Sequence, residues 1–178
     1  AFMKSTMTST TLCALSLLAA PASAAAAEDV AGGLSLGFEI GPNFVVDNED
    51  IGDSVGVGFA GRAGYRLGAG LVFITPEAKI GFESPGAPDA LRILGGARAG
   101  FSTPIQPVVF GHVGGLVGDL EGFAWDLGGG LEFNVGSLAV GAFASFNQAE
   151  VGGDLFDALG DGVNWEWVQI GGWGRIVL

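Results

Sequence analysis

Between Gly33 and Leu178 the large apolar residues recur at every second position, in one segment after another. A period of two puts alternate side chains on opposite faces of an extended strand, so each segment has one apolar and one polar face. The first segment sets Leu34, Leu36, Phe38, Ile40, Phe44 and Val46 against Gly33, Ser35, Gly37, Glu39, Gly41 and Asn43. The second sets Val55, Val57, Phe59, Ala63, Tyr65 and Leu67 against Ser54, Gly56, Gly58, Arg62, Gly64 and Arg66. In the third, Val72, Ile74, Ala78, Ile80 and Phe82 oppose Thr75, Glu77, Lys79 and Glu83; in the fourth, Leu91, Ile93, Ala97 and Phe101 oppose Arg92, Arg98 and Gly100. The fifth, about Val108 to Gly118, is the least regular, with His112 on the polar face and Val109, Val113 and Val117 on the other. The sixth sets Phe123, Trp125, Leu127, Leu131, Phe133 and Val135 against Asp126, Gly128, Gly130, Glu132 and Asn134. The seventh sets Leu138, Val140, Ala142 and Phe146 against Gly141, Ser145 and Asn147. The last sets Val168, Ile170, Ile176 and Leu178 against Glu166, Gln169, Gly171 and Arg175.

The connections between these strands alternate in character. Those after strands two, four and six are short and uncharged: Gly68-Ala69-Gly70, the stretch marked by Pro104 and Pro107, and Gly136-Ser137. Those after one, three, five and seven are acidic and mostly longer, including Asp47 to Asp53, Ser84 to Asp89 and Gln148 to Gly162. Short turns at one end, longer loops at the other and an even strand number characterise transmembrane β-barrels. With strand one running outward, Phe44, Phe82, Phe123, Trp125 and Phe146 fall near the outer rim, and Tyr65, Phe101 and Phe133 near the inner rim. These are the aromatic girdles of such a barrel. No segment reaches the roughly 20 consecutive apolar residues of a membrane-spanning helix.

Charge decides which face is inside. The chain carries 7 Lys and Arg against 19 Asp and Glu, a net charge of −12. Nucleic acid is excluded as a partner, because phosphate binding requires clustered cations. Beyond Lys4, every cation falls on the polar face of a strand: Arg62, Arg66, Lys79, Arg92, Arg98 and Arg175. Glu39, Glu77, Glu83, Asp126, Glu132 and Glu166 are assigned to the same face and balance them one for one. Buried charge is tolerated only when paired and hydrogen-bonded. The polar face is therefore read as a narrow lumen, plugged by paired side chains, since an eight-stranded barrel has an interior just wide enough for side chains. The alternative, a secreted soluble barrel of lipocalin type with its apolar face inward, would have to pack more large apolar residues than that interior holds.

Residues 1–24 read as a cleavable secretory signal peptide: Lys4, the apolar stretch Leu12 to Ala20, Pro21, and Ala22-Ser23-Ala24 as the small-x-small cleavage site. Met3 has the character of the start, with Ala1 and Phe2 ahead of it. A short tail, 25–32, leads into the barrel, 33–178. Cys13 lies within the signal peptide, so the mature chain has no disulfide chemistry.

The stretches Thr75-Pro76-Glu77, Gly95-Gly96-Ala97-Arg98-Ala99-Gly100-Phe101 and Asp126-Leu127-Gly128-Gly129-Gly130-Leu131-Glu132-Phe133 resemble strands of the small outer-membrane barrels of the outer membrane protein A and X type. The resemblance covers the whole mature chain. It implies an eight-stranded antiparallel up-and-down transmembrane barrel in a bacterial outer membrane, with lipids and lipopolysaccharide as neighbours and the barrel assembly machinery as a partner during biogenesis. Such barrels end in an aromatic residue that the machinery reads, whereas this sequence ends Arg175-Ile176-Val177-Leu178.

Four motifs offer other chemistry. Gly56-Val57-Gly58-Phe59-Ala60-Gly61 matches a dinucleotide-binding loop, but that loop must join a strand to a helix, and here the alternation runs straight through. Some barrels of this kind modify lipids with a His, a Ser and an acid, so His112 with Ser145 or Ser35 is the enzymatic alternative. Asp47, Glu49, Asp50 and Asp53, with Asp154, Asp157 and Asp161, are weak candidates for divalent cations, lacking EF-hand spacing. Trp165 and Trp167 are placed inward, closing the lumen near its outer rim. The reading favoured by the residues is a non-enzymatic barrel without cofactor, in a structural or surface-interaction role. An unidentified surface partner would meet it through the acidic outer loops.

Overall fold

The computed structural model describes residues 32–46, 55–84, 90–117, 121–152 and 163–178, which form eight antiparallel strands closed into a barrel. In chain order these are β1 (Gly33–Val45), β2 (Val55–Ala69), β3 (Val72–Ser84), β4 (Ala90–Phe101), β5 (Ile105–Val117), β6 (Glu121–Val135), β7 (Leu138–Gly152) and β8 (Val163–Val177). Each strand pairs with its sequence neighbours, and β1 pairs with β8 to complete an up-and-down ring. Closure removes the open edge that would otherwise present unpaired backbone groups. The signal-peptide assignment (1–24) and the tail up to residue 31 lie outside the described residues.

Period two becomes a wall with two unlike surfaces. In β3, exposed and buried residues alternate without a break from Val72 to Gly81. Outward-facing Phe38 is 63% exposed and Leu127 61%, whereas inward-facing Lys79, Arg92 and Glu132 are fully buried. This inverts the usual soluble pattern, in which Lys, Arg and Glu stay in water unless paired. It overturns the lipocalin-type alternative, since the large apolar side chains lie mainly outside and the charges inside. The side chains of the two expected girdles all sit on the outer wall, where Phe59 stacks on Phe82 at 5.4 Å and Trp125 meets Phe146 at 5.6 Å.

The strand ends differ from the sequence expectation in four places. β2 continues to Ala69, and its turn is Gly70-Leu71, where Gly70 takes a φ of 63° open to glycine at no steric cost. β5 begins at Ile105, so Pro107 is inside the strand and not in the turn. β7 runs on to Gly152, taking in Gln148 to Gly152, which the acidic composition had assigned to a loop. Similarly Glu121, whose charge assigns it to the acidic connection after strand five, opens β6.

Candidate functional site

The lumen gathers side chains from every strand. Glu39 on β1 pairs with Arg62 and lies 2.5 Å from Lys79 Nζ, which reaches Asp126 Oδ2 at 2.9 Å. Asp126 Oδ1 is 2.6 Å from His112 Nδ1, and His112 Nε2 is 3.0 Å from Glu77 Oε1. Glu77 also meets Arg62 at 3.2 Å and Arg98 at 3.6 Å. Arg98 pairs in turn with Glu132, whose other oxygen accepts from Arg175 Nη2 at 2.5 Å. One continuous network therefore links β1 through β6 with β8. A smaller group lies apart from it: Arg92 pairs with Glu83 and donates to Asn147 Oδ1 at 3.2 Å, while Asn43 donates to Glu83 at 2.6 Å. Isolated in hydrocarbon each of these ions would be prohibitively costly; mutual pairing is what makes their burial possible.

Two apolar layers complete the interior. One contains Leu94, Leu116, Ala124, Ala149, Trp165 and Trp167, so both tryptophans do point inward. The other contains Phe73, Val108, Phe110, Phe143 and Trp173. Trp173 lies flat on Phe143, with ring centroids 5.2 Å apart, and the Arg98 guanidinium stands 4.4 Å from the Trp173 ring centroid. Sequence reasoning missed Phe73, Phe110, Phe143 and Trp173 as lumen residues. Their signal was parity: each shares its strand face with Thr75, His112, Ser145 or Arg175.

Two of the twelve residues assigned to the charged lumen depart from the expected pairing. Glu166 is not in the lumen: it shares the outer face of β8 with Val168 and Ile170, opposite Gln148 in register, and is half-buried. The charge had suggested an inward position, but near the loop end an outward carboxylate can meet water. Arg66 does face inward, yet it meets no carboxylate among the described residues. Its Nη2 donates to Ser102 Oγ at 3.2 Å, Nη1 approaches Gln106 Oε1 at 3.5 Å, and the guanidinium lies 3.7 Å from the Phe73 ring centroid. The one-for-one balance is thereby corrected: among the described residues, six lumen cations face five carboxylates.

Neither serine is a hydrogen-bond partner of His112. Both its ring nitrogens face carboxylates, and Ser145 Oγ accepts from Asn147 at 3.1 Å. Gly56 to Gly61 lies wholly within β2, with no helix to receive a pyrophosphate. The weak cation candidates Asp47, Glu49, Asp50, Asp53, Asp154, Asp157 and Asp161 lie outside the described residues. Among the residues that are described, no three His, Cys, Asp or Glu cluster as a metal site would require.

No family model matches the chain, and no curated protein does. Among solved structures, the chain is similar to the crystal structure of Neisserial surface protein A, with a TM-score of 0.52. The match covers 82% of this chain and 97% of that one, at 12% identity. At that identity the likeness is one of fold: a small closed barrel of the outer-membrane kind. The narrower likeness to the outer membrane protein A and X type rests on the strand motifs alone.

Proposed function

We propose that this chain is a non-enzymatic β-barrel of a bacterial outer membrane, plugged by its own side chains and acting in a structural or surface-interaction role. The observation that carries the reading is the inverted wall, with exposed large apolar residues around its outside and fully buried charges within. Water would leave that outer surface exposed, at a cost of roughly 25 cal/mol per Å² of apolar area; a bilayer covers it. The name of Neisserial surface protein A supports a surface role. The end bearing the acidic connections is taken as external, with lipopolysaccharide and outer-membrane lipids as neighbours and an unknown partner at the loops. The assembly machinery would act during biogenesis.

Cell fractionation combined with surface labelling tests this. The protein is expected in the outer-membrane fraction, released only by detergent, and an epitope placed between Asp154 and Asp161 should be accessible on intact cells. Recovery as a soluble periplasmic protein would sink the reading.

A further inference from the structure

The corrected charge balance singles out one cation. Each of the five lumen carboxylates already bonds a cation other than Arg66: Glu39 with Arg62 and Lys79, Glu77 with Arg62 and Arg98, Glu83 with Arg92, Asp126 with Lys79, and Glu132 with Arg98 and Arg175. Arg66 is only 8% exposed, and among the described residues its hydrogen bonds go to neutral oxygens, whereas each of the other five lumen cations bonds a carboxylate directly. Its place in the fold is the turn end of the lumen, opposite Gly33 in register and against Ser102 of the β4–β5 turn. Gln106, which Arg66 approaches, stands opposite Glu132 in register; Glu132 accepts from Arg175 at 2.5 Å, and Arg175 Nε and Nη1 have no partner among the described residues. The two guanidinium groups thus flank the Gln106–Glu132 pair, each with N–H groups to spare.

We propose that this turn end of the lumen is a carboxylate-binding site, with Arg66 as the principal ligand-binding group and Arg175 and Ser102 beside it. Phe73 covers a face of the Arg66 guanidinium and leaves its in-plane N–H groups as the binding edge. A planar carboxylate meets such an edge with two parallel hydrogen bonds, and its single charge matches the one lumen cation in excess among the described residues. The carboxylate has two sources: a free organic acid or peptide in the compartment at the turn end, or Glu28 or Asp29 of this chain, which lie just before Gly32. The site rests on lumen geometry and not on which membrane holds the barrel, so it can fail while the localisation stands, and the reverse.

The test uses full-length protein folded in detergent, titrated with sodium N-acetylglycinate against sodium chloride at equal ionic strength. The readouts are the Arg66 Nε–H resonance and the temperature at which the folded gel band is lost. A saturable response in the millimolar range is expected, weakened about tenfold or more in Arg66→Gln. If the natural source is a free ligand, Glu28→Gln with Asp29→Asn leaves the affinity unchanged. Should the chain's own acids occupy the site, that double variant binds the probe several-fold more tightly. Should Arg66→Gln fail to fold, the wild-type resonances decide: Arg66 must shift with saturation while Arg92, in the separate charge group, stays. No saturation in either wild type or double variant, or an undiminished response in Arg66→Gln, overturns the site.

Discussion

Arg98 joins three kinds of interaction at one residue: an ion pair with Glu132, a second carboxylate at 3.6 Å in Glu77, and the Trp173 ring 4.4 Å away. Arg98→Ala removes all three and leaves Glu132 held by Arg175 alone. Breaking a buried pair from one side costs about 3–5 kcal/mol, because the abandoned charge stays buried. Glu150 is exposed on the outer wall, and Glu150→Ala should fall within about 0.5 kcal/mol of wild type. Urea unfolding in lipid vesicles compares the two, and equal effects would show that water screens the lumen. Glycine obeys the same division of faces. A methyl group at Gly128 would sit 2.5 Å from the Phe110 ring and 2.8 Å from Ser145 Cβ, whereas at Gly61 it would meet nothing within 4 Å. Gly128→Ala should therefore destabilise by about 1–3 kcal/mol through overpacking. Gly61→Ala should stabilise by about 0.5–1 kcal/mol, since glycine is a poor strand residue. The same unfolding assay decides, and a neutral Gly128→Ala would mean that the Phe110 layer is loose.

At the scale of strands, prolines stand where a closed barrel has least use for them. Mutual backbone bonds between Leu34 and Leu178, and from Val46 to Glu166, show that even-numbered β1 residues bond to β8. Pro42 belongs to that set and faces Ile170 without an N–H, and the β1–β8 pairing is interrupted between Ile40 and Asn43. Pro76 likewise coincides with the break between Gly64 and Leu67 in the β2–β3 pairing. Pro107 does less harm, because the Phe101 carbonyl accepts from Thr103 at 3.0 Å. Pro42→Ala should restore a donor to Ile170, contributing about 0.5–1.5 kcal/mol. Loss of the proline's restraint on the unfolded chain offsets about 0.4–1 kcal/mol of that. An orphaned carbonyl in hydrocarbon costs more than one in water, so the net effect should be stabilising. Hydrogen exchange would show a slowly exchanging amide at position 42 with a raised urea midpoint; fast exchange there would mean that the seam does not close on a new donor. Strand number and faces were legible in sequence because period two survives every strand. The extent of β7 was not, since the polar residues Gln148 and Glu150 read as loop although the ladder continues through them to Gly152. Nor were Phe73, Phe110, Phe143 and Trp173, although Trp165 and Trp167 were, because an aromatic in the middle of a barrel strand is first read as lipid-facing. Glu166 failed for the opposite reason: its charge was trusted over its parity with Val168 and Ile170.

For the whole molecule, closure and filling make separate demands. A closed ring of eight paired strands has no edge from which detergent can peel a strand, so the unboiled protein should run faster on a denaturing gel than the boiled one. Filling decides conductance. Across the lumen lie the Trp165–Trp167 layer, the continuous charge network from Glu39 to Arg175, and the Phe110–Trp173 layer. An ion crossing would have to displace paired, fully buried side chains, and an eight-stranded barrel has no spare width to let it pass beside them. Planar bilayers containing the folded protein should therefore show no large, stable steps in current. Trp173→Ala offers the sharper comparison, because that indole stacks on Phe143, meets Phe110 edge-on and lies against Arg98. Its loss should destabilise by about 3–5 kcal/mol, yet leave the membrane sealed, since the charge network and the second apolar layer still cross the lumen. Sustained porin-like currents in the wild type would refute the plug. Currents only in Trp173→Ala would instead place the whole barrier in the Phe110–Trp173 layer.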